Sequence, residues 1–205
     1  MERFTVLTDV AAPLLRDNID TDTIIPIHRQ VGTNIRGTLG KWCLSTLRYR
    51  DDGSEDPDFV LNRAPFRGAR IVLAGRNFGC GSSREGAVWA MQEMGLACVV
   101  APSFGDIFFN NCFQNGLLPV VLDEQAIATL AQQAPAPITV DLVKCVVLAQ
   151  SGERWTFSVE ERRRTALLQG LDEIGMTLSQ VDRIAHFQSA DAERRPWIYN
   201  LGDVA

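Results

Sequence analysis

Between Arg70 and Gln133 the chain alternates short apolar runs with longer amphipathic ones, and this alternation restricts the fold more than any other feature. "RIVLA" (70–74), "ACVVA" (97–101) and "LPVVL" (118–122) read as short buried strands. "SREGAVWAMQEMG", "SFGDIFFNNCFQNG" and "DEQAIATLAQQ" follow them and read as helices. Their ends carry the expected signals. Ser82 and Glu85 have capping-box spacing, Gly95 is a stop, Ser103 is an N-cap, and Asp123 and Glu124 place acids at a helix start. Strands and helices in strict alternation, with short joints, imply right-handed βαβ units and a parallel sheet, hence an α/β fold.

The flanking segments are simpler. "RFTVLTDVAAPL" reads as a first strand leading into the polar turn "RDNIDTDTIIP", and residues 27–37 read as a loop. "KWCLSTLRYR" reads as a helix with Trp42, Leu44 and Leu47 on one face, and "DDGSEDPD" as an acidic surface loop. After "APAP", the runs "ITVDL", "KCVVLAQ" and "RWTFSVE" suggest an antiparallel meander. "EERRRTALLQG" and "TLSQVDRIAHFQ" then read as helices, with residues 189–205 as a C-terminal tail of one domain spanning 1–205.

Charge and cysteine usage narrow the functional classes. A net charge of −5 disfavours a nucleic-acid groove, which is usually basic. Cys43, Cys80, Cys98, Cys112 and Cys145 are scattered, with no C-x-x-C pair, so reduced thiols in a cytoplasmic protein are expected and no metal centre built by this chain alone. No signal peptide is expected from "MERFTVLTDV", and no apolar run reaches the ~20 residues of a membrane span.

The candidate site is the turn "NFGCGSSREGA" (77–87), between a strand end and a helix start. Ligands gather there in open α/β sheets, and the helix N-terminus attracts anions. Its glycine spacing matches neither phosphate-loop pattern, and no lysine follows. A Cys80 or serine nucleophile would want a histidine base, and the only histidines are His28 and His186. A third reading is a carboxylate pocket, with Ser82 and Ser83 hydroxyls beside a bidentate Arg84 guanidinium. A fourth is a capped helix and nothing more.

"NFGCGSSREGAVWA" resembles the signature of the small subunit of 3-isopropylmalate dehydratase, of the aconitase superfamily. "DNIDTDTIIP", "DPDFVLN", "APSFGDIFFNNCFQNGLLPV" and "GLDEIGMTL" are similar to further parts of that family, in the same order and over about residues 4–180. The resemblance implies the swivelling β/β/α domain of the aconitase last-domain type. It also implies a separate large subunit carrying a four-iron, four-sulfur cluster, and isomerisation of 2-isopropylmalate through 2-isopropylmaleate in leucine biosynthesis. Carried over by motif, Ser82 is the catalytic base, Ser83 and Arg84 bind substrate, and Arg36 in "NIRGTLG" is a further substrate arginine. The chain departs from the pattern twice. Gly86 stands where the motif has histidine, and "IIPIHRQVGTNIRG" differs from the usual loop, which makes His28 and Arg29 candidate specificity residues. Two alternatives stay open: a related hydro-lyase subunit for citramalate/mesaconate or homoaconitate, and a non-catalytic binding subunit. Asp20 and Asp22 are expected to bond backbone in a turn and orient a nearby arginine. Cys80 is expected to be a small packed or partly exposed residue rather than a ligand.

Overall fold

The computed structural model describes residues 1–30, 36–81 and 84–199. Its described residues divide into two compact units, one over Met1–Gly170 and one from Leu171 onward.

The first unit is built on one mixed sheet. Strands β1 (Val6–Leu14), β2 (Ile71–Ala74), β3 (Cys98–Ala101) and β4 (Leu118–Val121) are parallel neighbours in the order β4-β3-β2-β1. Strands β5 (Pro137–Asp141), β6 (Val146–Ala149) and β7 (Arg154–Thr156) extend the sheet antiparallel from the other edge of β1. This is the expected α/β architecture with a C-terminal meander. The two halves meet on β1, which pairs through Ala11–Leu14 with β2 and through Val6–Val10 with β5.

Strand periodicity divides the core in two. Val72, Ala74, Val99 and Ala101 face one cluster, while Ile71, Leu73, Cys98 and Val100 face the other. Helix α3 (Glu85–Glu93) packs on the first face through Ala87, Val88, Ala90 and Met91, with Phe108 and Cys112 of α4 (Asp106–Asn115). Helix α5 (Glu124–Gln133) covers the second through Ala126, Ile127 and Leu130, joined by Leu167 of α6 (Glu161–Gln169). Strands buried on both faces need apolar residues at every position, which is why β2 and β3 read as unbroken apolar runs.

Several local expectations are corrected. The polar turn after β1 contains a one-turn helix, α1 (Thr21–Ile24). The segment 41–50 is not one helix: a 3₁₀ turn at Gly40–Trp42 and α2 (Ser45–Arg48) are separated by Leu44, whose φ is 54°. Leu44 is fully buried and donates its N–H to Ile24 O at 2.8 Å, so a tertiary hydrogen bond replaces the helical one. Ser103 does not cap α4. Gly105 holds that position, and Ser103 Oγ accepts from Asn77 N at 2.9 Å. Helix α3 begins at Glu85 with Arg84 at its N-cap, so Glu85 cannot stand at the third helical position that a Ser82 capping box requires. The expected cap of α5 is present, with Asp123 accepting from Ala126 N at 2.7 Å.

The second unit contains α7 (Glu173–Leu178), α8 (Val181–Arg194) and α9 (Pro196–Tyr199). Residues 189–194 continue α8, whereas the sequence suggested a tail from 189. The Asp191 carboxylate bonds the Arg195 guanidinium at 2.7 Å and Tyr199 Oη at 3.1 Å, which fixes the helix end.

Candidate active site

Three loops leave the C-terminal ends of β1, β2 and β3 and are laced together by backbone hydrogen bonds. Asn18 N bonds Arg76 O at 2.8 Å, Gly79 N bonds Ile19 O at 2.7 Å, and Thr21 N bonds Cys80 O at 3.0 Å. On the other side Phe78 N bonds Ser103 O at 3.1 Å and Gly105 N bonds Phe78 O at 2.9 Å. Close approach requires glycine at two points. A Cβ on Gly79 would lie 2.7 Å from Phe108 Cβ and nearer still to its ring, and one on Gly105 would lie 2.6 Å from Gly79 O. Gly79 also has φ +73°, a backbone region disfavoured for residues with a Cβ. Gly79 of the turn therefore serves loop packing.

Arg84 emerges from this platform at the N-cap of α3, with extended backbone. It lines a cleft of about 200 Å³ together with Thr21, Asp22, Ile27 and Gln30. Ser82 and Ser83 lie outside the described residues, between Gly81 and Arg84 of the same turn. The cleft thus gathers a guanidinium, a carboxylate, an amide and a hydroxyl at the positive end of a helix.

The acids of "DNIDTDTIIP" separate in role. Asp20 caps α1 by accepting from Thr23 N at 2.6 Å. Its hydrogen bonds from Thr23, side chain first and then backbone, hold the carboxyl below the usual range. Asp22 faces the Arg84 cleft. Cys80 is half-buried, and burial, with Asp20 nearby as a smaller cause, raises its thiol above the ordinary value. Cys80 is thus partly exposed, within the range expected, and a raised thiol is a poor nucleophile.

The other candidates fall elsewhere. His28 and Arg29 line a separate cleft of about 550 Å³ with Lys41, Trp42, Tyr49 and Arg50. The Arg29 guanidinium lies 3.7 Å from the Trp42 ring centroid, a cation–π contact. From that loop, Ile27 and Gln30 reach the Arg84 cleft, and the sequence reading missed both. Arg36 is exposed, with its guanidinium 5.2 Å from the ring of Trp89 on α3, and is not among the residues lining the Arg84 cleft.

Glu93 anchors the segment after Arg36. Its carboxylate accepts from Gly37 N and Leu39 N at 2.5 Å each and from Gly40 N at 3.0 Å. Gly40 packs so closely that a Cβ would lie 2.6 Å from the Glu93 carbonyl carbon. Glu93→Ala is expected to lower stability by about 2 kcal/mol, since hydrogen bonds to charged groups contribute roughly 1.5–3 kcal/mol. Urea unfolding measures this, and a midpoint equal to the parent's would contradict the anchoring role.

A model of the aconitase C-terminal domain matches residues 1–125. The 3-isopropylmalate dehydratase small subunit of Paramagnetospirillum magneticum is 49% identical over 203 residues, covering 97% of this chain and 100% of that protein. The protein of the same name from Rhodospirillum centenum is 50% identical over 201 residues, covering 96% and 98%. The chain belongs to the 3-isopropylmalate dehydratase small-subunit family. A crystal structure of 3-isopropylmalate dehydratase from Methanocaldococcus jannaschii superimposes with a TM-score of 0.65 at 24% identity, covering 91% of this chain and 99% of that one, which supports the fold. As a member of that family, the chain is a subunit of a hydro-lyase of the aconitase superfamily.

Proposed function

We propose that this chain supplies the substrate-binding half of a split active site. With an iron–sulfur large subunit, it interconverts 2-isopropylmalate and 3-isopropylmalate through 2-isopropylmaleate, in leucine biosynthesis. The observation that carries the reading is the placement of Arg84 at the N-terminus of α3, in a cleft on loops at the C-terminal edge of the parallel strands.

Ser82 is the general base in this reading. It takes the proton from the carbon beside a carboxylate. A serine hydroxyl does this only where its alkoxide is stabilised, and a helix N-terminus and an arginine guanidinium are groups that favour negative charge. Ser83 and Arg84 hold one carboxylate; Arg36, which lies outside the Arg84 cleft, is kept as a second substrate arginine on the motif resemblance alone. The proton returns from Ser82 to the neighbouring carbon when the hydroxyl is re-added.

This chain's cysteines do not fit an iron–sulfur cluster. Cys43, Cys98 and Cys112 are fully buried. Burial pushes the Cys43 thiol up to about 12, and the other two well above the ordinary value. Among the described residues, no group of three or more His, Cys, Asp or Glu side chains is placed to hold a metal. In this reading the cluster is carried by the large subunit, as the resemblance to the dehydratase family implies. No helix of the described residues is long and apolar enough to cross a membrane.

Arg84→Lys tests the cleft. A point charge replaces a planar fork, and KM for 2-isopropylmalate in the assembled enzyme is expected to rise about 10- to 100-fold. An unchanged KM would contradict the placement of the substrate carboxylate.

A further inference from the structure

Gly86 occupies the second position of α3, and its φ lies outside the left-handed region. The helix does not require glycine there, and glycine in a helix is less stable than alanine by about 1 kcal/mol. What its bare Cα meets is a side chain from another loop. A Cβ at position 86 would stand 2.9 Å from Cδ of Gln30, 3.5 Å from its Cγ, and closest of all to Oε1. The Gln30 amide thus sits against the bare Cα of Gly86.

The same amide is tied from the other side. Gln30 Nε2 donates to Ile25 O at 2.9 Å, and Ile25 is fully buried. Gln30 also ends the 3₁₀ turn Ile27–Arg29, donating its own N–H to Ile27 O at 2.9 Å. A glutamine side chain has three rotatable bonds, and ordering it costs entropy. Here the buried carbonyl and the helix surface set that order, and the amide lines the cleft beside Arg84 and Asp22.

We propose that Gln30 is a substrate-contacting residue and that Gly86 is its positioning residue. The amide has a second N–H besides the one given to Ile25 O. That N–H bonds the substrate carboxylate paired with Arg84, so the carboxylate receives an amide N–H as well as a guanidinium. A side chain at position 86 would push the Gln30 amide from this seat. The inference rests on the reading of the Arg84 cleft as the substrate site.

The test uses the chain assembled with its large subunit and 2-isopropylmalate as substrate. Gln30→Leu removes both amide groups at similar volume, and Gly86→Ala displaces the amide. Each is expected to raise KM about tenfold with kcat within about twofold, the loss of one hydrogen bond to a charged group. The double variant is expected to match Gln30→Leu alone, since Gly86→Ala acts only through the amide. A structural role would lower the amount of assembled enzyme and leave KM alone. If Gln30→Leu fails to assemble, Gln30→Met keeps the length and still lacks the donor. An unchanged KM in the Gln30 variants, with KM raised in Arg84→Lys, overturns the proposal and leaves the site reading intact. If KM is unchanged in Arg84→Lys as well, the site reading falls too. Multiplying effects in the double variant would overturn the role of Gly86.

Discussion

Ser82→Ala, assembled with the large subunit, is expected to turn over 2-isopropylmalate about 10²- to 10⁴-fold more slowly than the parent, the usual contribution of a positioned general base. The loss is expected to fall on kcat, because the carboxylate contacts proposed for Ser83 and Arg84 are left in place. Proton exchange separates this from a binding defect. In the parent, deuterium placed beside the substrate carboxylate is expected to leave through Ser82 and to appear on the neighbouring carbon or in solvent, and the variant is expected to lose that exchange by the same factor. Parent-like kcat and exchange in Ser82→Ala would remove Ser82 as the base and favour a chain that only binds.

The largest expected effect on folding comes from Gly79→Ala. Its backbone sits at φ +73°, where a Cβ costs roughly 1–2 kcal/mol. The added methyl would also enter the space of Phe108, which is fully buried and packs edge-on against Phe78 with ring centroids 5.6 Å apart. Overpacking of that kind costs about 1–3 kcal/mol more. A total of about 3 kcal/mol lowers Tm by roughly 10 °C for a chain of this length. Gly95→Ala is the control. Its φ is +102°, but a Cβ would meet nothing within 4 Å, so only the backbone cost applies. Equal losses in the two variants would show that the approach of the turn to α4 contributes nothing.

The parallel half of the sheet was legible because strands buried on both faces leave unbroken apolar runs, and "RIVLA", "ACVVA" and "LPVVL" have no other simple reading. The meander was legible through its alternation and the close spacing of its runs. The segment around Leu44 was not, because a long-range bond to Ile24 O decides its conformation and no local pattern records that. Ser103 misled for a related reason, since a serine good enough to cap a helix is equally good at holding Asn77 N.

The site divides the same way. The Gly-rich turn and Arg84 stand out in one contiguous stretch of sequence. Gln30 does not, because its role depends on a helix that begins more than fifty residues later. The one available signal was Gly86, a glycine in a helix's first turn with no backbone reason to be there. His28 and Arg29 were plausible on residue type, but the 3₁₀ turn they form sends Arg29 onto Trp42 and leaves Ile27 and Gln30 beside Arg84.

Whether the active site is split is decided by turnover of 2-isopropylmalate by the purified chain, by its large subunit, and by the two together. Half a site without the Lewis acid for the departing hydroxyl should give no turnover by this chain alone, and activity only in the assembled pair. Dehydration of 2-isopropylmalate by this chain on its own would contradict the account.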